Sequence, residues 1–452
     1  MSSTANTSNL TMVNAFDPEK ASGLDPKTQE MVRRREKLLG PAYRLFYQQP
    51  VQVVRGSGTR LWNPDGEEYL DAYNNVVPAG HANSRVTAAV HQQMQTLSTH
   101  TRYLQDGILD YAEDLLGTMG PLGDTGHVMF TCTGSEANDL ALRIAKHHTG
   151  HEGIIVTSEA YHGNSELTSG CSPALGSRAR LGTWVRQVPA PDSYRIPREQ
   201  LADLLVEHVR EQIADLQRRG QGLAAFIADS VFSSDGIFGE PTDLLAPVAK
   251  VVRDAGGLFI ADEVQSGFAR TGDSFWGYQR HGVQPDIVTM GKPMGNGYPV
   301  AGLVARPGVV ERFGNDQRYF NTFGGNTVAI AAAQATLDVL RDDDLLTNAR
   351  TIGQVLRDGI AELSLRYECL GDIRGAGLYV GVEVVSDRDG KVPDQARASA
   401  IVNAMRDRRV LISSTGPSAN VLKIRPPLVF SSDDADWLLS TLADVMSTTD
   451  EG

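Results

Sequence analysis

Leu258-Phe-Ile-Ala-Asp-Glu-Val-Gln265 is an apolar run that ends on two adjacent acids. Uninterrupted apolar residues that give way abruptly to charge predict a strand buried on both faces, the habit of parallel sheets. The acids then fall at its carboxyl edge, where open α/β sheets place their ligand sites. Runs of similar kind lie on either side, at His127 to Thr131, Gly153 to Thr157, Ala224 to Ala228 and Ile287 to Met290, separated by amphipathic stretches. This alternation, from about Asn75 to Ala335, predicts an α/β domain with a mostly parallel sheet covered by helices. Ahead of it, Asp25 to Leu39 reads as a helix broken by Gly40-Pro41. Val51 to Tyr73 reads as a small β meander, with strands at Val51-Gln-Val-Val54, Leu61-Trp62 and Tyr69-Leu70 and turns at Gly56-Ser-Gly58 and Asn63-Pro-Asp-Gly66. Beyond Thr336 a long helical stretch leads to a strand over Gly375 to Glu383 and to a final helix near Trp437 to Met446, a smaller α+β unit. The expected partition is 1–74, an N-terminal segment packing with the small domain; 75–335, the large domain; and 336–452, the small domain.

Composition narrows the class of function. The chain has 452 residues, with 42 Lys+Arg against 55 Asp+Glu and a formal net charge of -13. That sign opposes general attraction to nucleic acid or to acidic membranes, so a small-molecule substrate is expected. Cys132, Cys171 and Cys369 form no CxxC pair, which points away from a disulfide framework and from a metal site. No apolar run approaches the roughly 18 residues of a membrane span, and Met1 to Lys20, rich in Ser, Thr and Asn, lacks a signal-peptide pattern. A cytoplasmic protein with a loose leader is expected.

Three of the strand ends carry chemistry. At the first, Val128-Met-Phe-Thr-Cys-Thr-Gly-Ser135 runs into a helix whose free N–H groups at Gly134 and Ser135 suit a phosphate. At the second, a carboxylate of Asp262-Glu263 can hold a pyridinium nitrogen protonated, which makes a pyridoxal ring an electron sink. At the third, Pro285-Asp-Ile-Val-Thr-Met-Gly-Lys292 delivers one lysine among small residues, able to form an imine with an aldehyde cofactor. Each signal is weak alone. Their order at the ends of one sheet is specific.

The chain resembles the class III aminotransferases of the fold type I pyridoxal-phosphate (PLP) enzymes from about Tyr43 to its C-terminus. The matching motifs are Thr133-Gly-Ser-Glu-Ala-Asn138, Tyr161-His-Gly163, Asp262-Glu-Val-Gln-Ser-Gly-Phe-Ala-Arg-Thr-Gly272, Gly291-Lys292 and Asn321-Thr-Phe-Gly-Gly-Asn326. The resemblance implies an α/β fold with a seven-stranded type of sheet plus a smaller α+β domain, and PLP bound through Lys292. Gly134 and Ser135 would bind its phosphate, Tyr161 and Val264 would cover its two ring faces, and Asp262 would meet the ring nitrogen. Gln265 would lie near the ring hydroxyl, and His162 counts among the cofactor contacts. Thr322 would reach the phosphate of the neighbouring subunit, so a homodimer or dimer of dimers with a shared site is implied.

The reaction turns on substrate-side residues. Members of this family commonly carry an Arg three positions before a Pro-Pro or Pro-Thr pair near the C-terminus, as a clamp for a carboxylate. In Asn420-Val-Leu-Lys-Ile-Arg-Pro-Pro427 that place falls to Lys423, a point charge suited to a phosphate dianion, with Arg425 on the same side of an extended segment. A glutamate common elsewhere in the family is Asp229 here. Pro41-Ala-Tyr-Arg-Leu-Phe46, Asn74-Asn-Val-Val77 before Gly80-His81, and Thr101-Arg-Tyr-Leu-Gln105 resemble the ethanolamine-phosphate and phosphohydroxylysine phospho-lyase branch. This implies a β-elimination from O-phosphoethanolamine to acetaldehyde, ammonia and phosphate, with Lys292 moving the proton and Lys423, Arg425 and Arg44 holding the leaving phosphate. The alternatives are an ω-amine or amino-acid aminotransferase using a keto acid, and a catalytically silent PLP-binding protein.

Overall fold

The computed structural model describes residues 13–449. Much of the expected loose leader, up to residue 12, therefore lies outside the described residues. Its described end is ordered: Asp17 caps a short 3₁₀ turn over Pro18–Gly23, and Phe16 packs with Leu24 and Val32. Helix α1 (Pro26–Leu39) follows, its first free N–H groups taken by the Asp25 carboxylate and its end set by Gly40.

Strands β1 (Arg55–Ser57), β2 (Arg60–Trp62) and β3 (Glu68–Asp71) form the meander. The expected first strand at Val51 to Val54 shifts to Arg55–Ser57, with the turn at Gly58, whose φ is +56°. Val53 and Val54 stay exposed, so no burial draws them into the sheet. Helices α2 (Ser84–Thr96) and α3 (Asp106–Leu116) lead into the central sheet, whose strands are β4 (His127–Thr131), β5 (Gly153–Thr157), β6 (Val185–Val188), β7 (Leu223–Asp229), β8 (Leu258–Asp262), β9 (Ile287–Met290) and β10 (Ala301–Ala305). Their order is β4-β10-β9-β8-β7-β5-β6, all parallel except β10, which runs antiparallel to both neighbours. β5, β8, β9 and β10 are buried along their whole length, which explains their unbroken apolar character.

Two strands escaped the sequence reading. β6 is an edge strand, and Val-Arg-Gln-Val buries only its ends. β10 is Ala-Gly-Leu-Val-Ala, and Gly302 is required because a Cβ there would come within 2.8 Å of the Met129 carbonyl oxygen.

The C-terminal part supplies β11 (Leu370–Ala376), β12 (Tyr379–Asp387), β13 (Val392–Pro393), β14 (Val410–Leu411), β15 (Ser413–Thr415) and β16 (Val421–Ile424). The expected single strand over Gly375 to Glu383 is instead a hairpin. Gly377 turns it at φ +51°, and a Cβ there would lie 2.4 Å from the Arg270 carbonyl oxygen. The sheet runs β11-β12-β16-β15, while β14 pairs in parallel with β3 and so adds a fourth strand to the meander. Helix Thr327–Asp342, buried around most of its circumference, crosses residue 335 without a break and packs on α2 and α3. Among the described residues no helix is long and apolar enough to cross a membrane.

Candidate active site

The sheet order brings the carboxyl ends of β7, β8 and β9 side by side, with Asp229 in register with Asp262 and Asp262 with Thr289. β4, beyond the antiparallel β10, runs in the same direction and passes into helix α4 (Gly134–Thr149), capped by the Thr133 side chain. The result is a cleft of about 110 Å³. Gly134, Ser135, Tyr161, His162, Asp262, Val264, Gln265 and Lys292 all line it, together with Asn138, Gly163 and Asp229.

Asp262 is an acceptor held by three donors. Its Oδ1 accepts from Val264 N at 3.1 Å, and its Oδ2 from Asn138 Nδ2 at 2.8 Å and His162 Nδ1 at 2.6 Å. Asn138 is fixed in turn by Thr289, whose hydroxyl donates to its Oδ1 at 2.6 Å. With Nδ1 donating to a carboxylate, His162 carries its proton there, and its Nε2 meets no partner among the described residues. The sequence reading assigned no role to Asn138. The available signal was its spacing from Gly134, four residues along one helix face.

The floor of the cleft is built by close approach. A Cβ on Gly134 would lie 3.0 Å from both methyls of Val264, and Gly291 packs against the Gly134 backbone. Gly163, at φ +143°, sits where a Cβ would come within 2.6 Å of Ser135 Oγ and 2.7 Å of Thr168 Oγ1. Ser135 Oγ accepts from Asn164 N at 3.1 Å, so the turn after Tyr161 is tied to the start of α4.

Burial lowers the Lys292 amine from 10.5 to about 8; nearby Arg425 adds to the fall, while Asp262 and Asp229 oppose it. Asp229 accepts from Val231 N and Ser233 N, each at 3.0 Å, and burial raises its carboxyl. Behind the cleft, Gln265 Oε1 accepts from the Tyr379 hydroxyl at 3.0 Å and from Arg425, while its Nε2 donates to Ser233 Oγ at 2.7 Å. Lys423 and Arg425 are buried here without lining the cleft itself; Lys423 Nζ lies 5.7 Å from the Tyr379 ring. Arg44 is exposed and does not line the cleft, and Thr322 is also exposed in the single chain.

A family model described as aminotransferase class-III matches residues 45–446. The chain belongs to the class-III aminotransferase family. Among class-III relatives, an Alanine--glyoxylate aminotransferase 2-like protein of Drosophila melanogaster is 39% identical over 91% of this chain and 85% of its own length. Ethanolamine-phosphate phospho-lyase homolog 1 of Caenorhabditis elegans is 37% identical over 97% of this chain and 99% of its own. A solved phospholyase from Arthrobacter in complex with phosphoethanolamine superimposes with a TM-score of 0.89 at 41% identity, covering 92% of this chain and 99% of that one. The cofactor of this class-III enzyme is PLP. The cleft fits it: a helix N-terminus over a glycine floor, a carboxylate fixed by three donors, and a desolvated amine at one strand edge.

Two expectations arise from this geometry. Gly163→Ala adds a methyl against Ser135, and the resulting strain of about 1–3 kcal/mol is expected to weaken PLP affinity by about tenfold or more. A titration of cofactor-free protein measures this, and unchanged affinity would mean that Ser135 can move without cost. The rate of PLP uptake should rise with pH around a midpoint near 8, because only the neutral Lys292 amine attacks an aldehyde. A midpoint near the ordinary 10.5 would show that burial does not govern this amine.

Proposed function

We propose that this class-III enzyme is a phospho-lyase that converts O-phosphoethanolamine and water to acetaldehyde, ammonia and inorganic phosphate. The observation that carries this reading is the pair of buried cations on one face at the end of β16. Lys423 lies opposite Gly381 and Ser413, and Arg425 follows two residues later on the same side. Burial first, then Arg425 and Lys292, push the Lys423 amine well below its ordinary value, and Asp229 opposes them. Asp229 alone does not offset Lys423 and Arg425 together, and the negative charge of a substrate phosphate makes up the difference. The likeness to a phospholyase in complex with phosphoethanolamine and to the Caenorhabditis elegans homologue supports the same substrate class.

PLP, when bound, supplies an electron sink that acidifies the C–H next to the substrate nitrogen. In the proposed arrangement Gly134 and Ser135 hold its phosphate, Tyr161 and Val264 flank its ring, and Gln265 lies near its hydroxyl. Asp262, itself oriented by Asn138 and His162, faces its ring nitrogen. The Lys292 amine takes the proton from the nitrogen-bearing carbon. The neighbouring C–O bond then breaks with its electron pair on the phosphate oxygen, whose charge Lys423 and Arg425 offset. Thr322, between exposed Phe320 and Phe323 and beside an apolar groove of about 600 Å³ containing Leu104 and Leu109, fits a second copy completing the cofactor site. The three free cysteines fit a reducing compartment, the cytoplasm.

The second reading is an aminotransferase, favoured by the Drosophila melanogaster relative's name and by Arg425, whose guanidinium could clamp a carboxylate. Phosphate release from O-phosphoethanolamine by the holoenzyme without any keto acid separates the two. Repeated turnover with acetaldehyde supports the lyase. Release of no phosphate, with one equivalent of amine donor consumed until a keto acid is added, establishes the aminotransferase.

A further inference from the structure

Asn75 belongs to the Asn74-Asn-Val-Val77 stretch, to which nothing so far gives a role. Its side chain is 1% exposed, yet neither Nδ2 nor Oδ1 meets a hydrogen-bond partner among the described residues. Buried amides are rarely left with both ends open, so a group from outside the chain is needed to satisfy this one.

The backbone fixes where this segment lies. Arg425 N donates to Ala72 O at 2.9 Å and Leu428 N to Pro78 O at 2.8 Å, so residues 72–78 run beside the chain that leaves β16. On the other side, Asn296 accepts from Ala79 N and donates to Gly80 O, both at 2.9 Å, and a Val77 methyl lies 3.4 Å from the Cβ position of Gly297. Asn75 is thus held between the Arg425 end of β16 and the loop that follows Lys292. Two residues before it, the Tyr73 ring lies 4.5 Å from the Arg425 guanidinium, whose own Nε also lacks a partner among the described residues.

We propose that the Asn75 amide is a ligand of the substrate's phosphate group, sharing that group with Arg425 Nε and so selecting phosphorylated amines; the proposal rests on the phospho-lyase reading. Nδ2 donates to a phosphate oxygen, and Oδ1 accepts from the P–OH of the singly protonated ester. That form is the useful one. When its C–O bond breaks, the electron pair stays on oxygen and the group departs as HPO₄²⁻, whereas the fully ionised ester would have to expel PO₄³⁻. A phosphate monoester with its second pKa near 6 supplies enough of the protonated form at neutral pH.

The test uses holoenzyme and two probes read by the cofactor's visible absorbance: 2-aminoethylphosphonate, which cannot lose phosphate, and ethanolamine, which has none. Asn75→Ala is expected to weaken phosphonate binding about tenfold or more, and Asn75→Asp further, with ethanolamine binding unchanged in both. Asn75→Ser serves in the same way where the alanine variant does not fold. Equal loss of both probes would mark a merely structural residue and overturn the proposal. Unchanged phosphonate binding in the Asn75 variants, with a loss in Lys423→Ala, would overturn it while leaving the phospho-lyase reading intact. Unchanged binding in all of them, Lys423→Ala included, would overturn both.

Discussion

Lys292→Ala is expected to lower kcat by about 10⁴-fold or more while leaving the fold intact. Positioned proton transfer alone contributes about 10² to 10⁴ in rate, and the same side chain is proposed to tether the cofactor. The fold should tolerate the change because the Lys292 amine sits in a poorly hydrated position near the like charge of Arg425, and its loss relieves that repulsion. Lys292→Arg is the informative partner. It keeps a cation of similar length but stays protonated, so it should be as inactive as alanine. Adding a small primary amine should partly restore the alanine variant and leave the arginine variant silent. Measured phosphate release within tenfold of wild type in Lys292→Ala would remove this lysine from the chemistry.

Asp262→Asn is expected to cost about 10³-fold or more in kcat and also some stability, for separable reasons. The carboxylate presents two acceptor oxygens to Val264 N, Asn138 Nδ2 and His162 Nδ1. An amide offers a single oxygen, so one side must set donor against donor. If the oxygen stays with Val264 N, His162 can move its proton to the unpartnered Nε2, but Asn138 still faces an N–H group. A mismatched buried polar group costs about 1–3 kcal/mol, which thermal unfolding of the cofactor-free protein will read. The larger catalytic loss has another origin, because a neutral amide no longer favours a protonated ring nitrogen. A variant with reduced stability and near-normal kcat would confine Asp262 to a structural role.

Local pattern carried much of this architecture. β8 and β9 are written as apolar runs because both of their faces are covered; β8 ends on Asp262 and β9 ends two residues before Lys292, and both side chains line the cleft. β6 and β10 were illegible for opposite reasons: one is a half-polar edge, the other is made of residues too small to look like a strand. The turn at Gly377 hid in the same way, since its need for glycine comes from the Arg270 carbonyl oxygen, over a hundred positions away in sequence. In the site, Gly134, Asp262 and Lys292 each announce themselves within a short motif. The support around Asp262 does not, because Asn138, His162 and Thr289 meet only when three separate strand ends converge. The surroundings of Lys423 and Asn75 likewise depend on the packing of the chain's two ends.

The parallel pairing of β3 with β14 sets an order of assembly. Leu70 pairs with Val410, so this ladder closes a loop that contains most of the chain. During synthesis from the amino end, β3 has an open edge until nearly the whole polypeptide has emerged, while the helices and parallel strands between can already collapse. A chain halted or clipped before Val410 keeps that edge bare. Such fragments should be captured by chaperones or aggregate rather than persist as partly working enzyme.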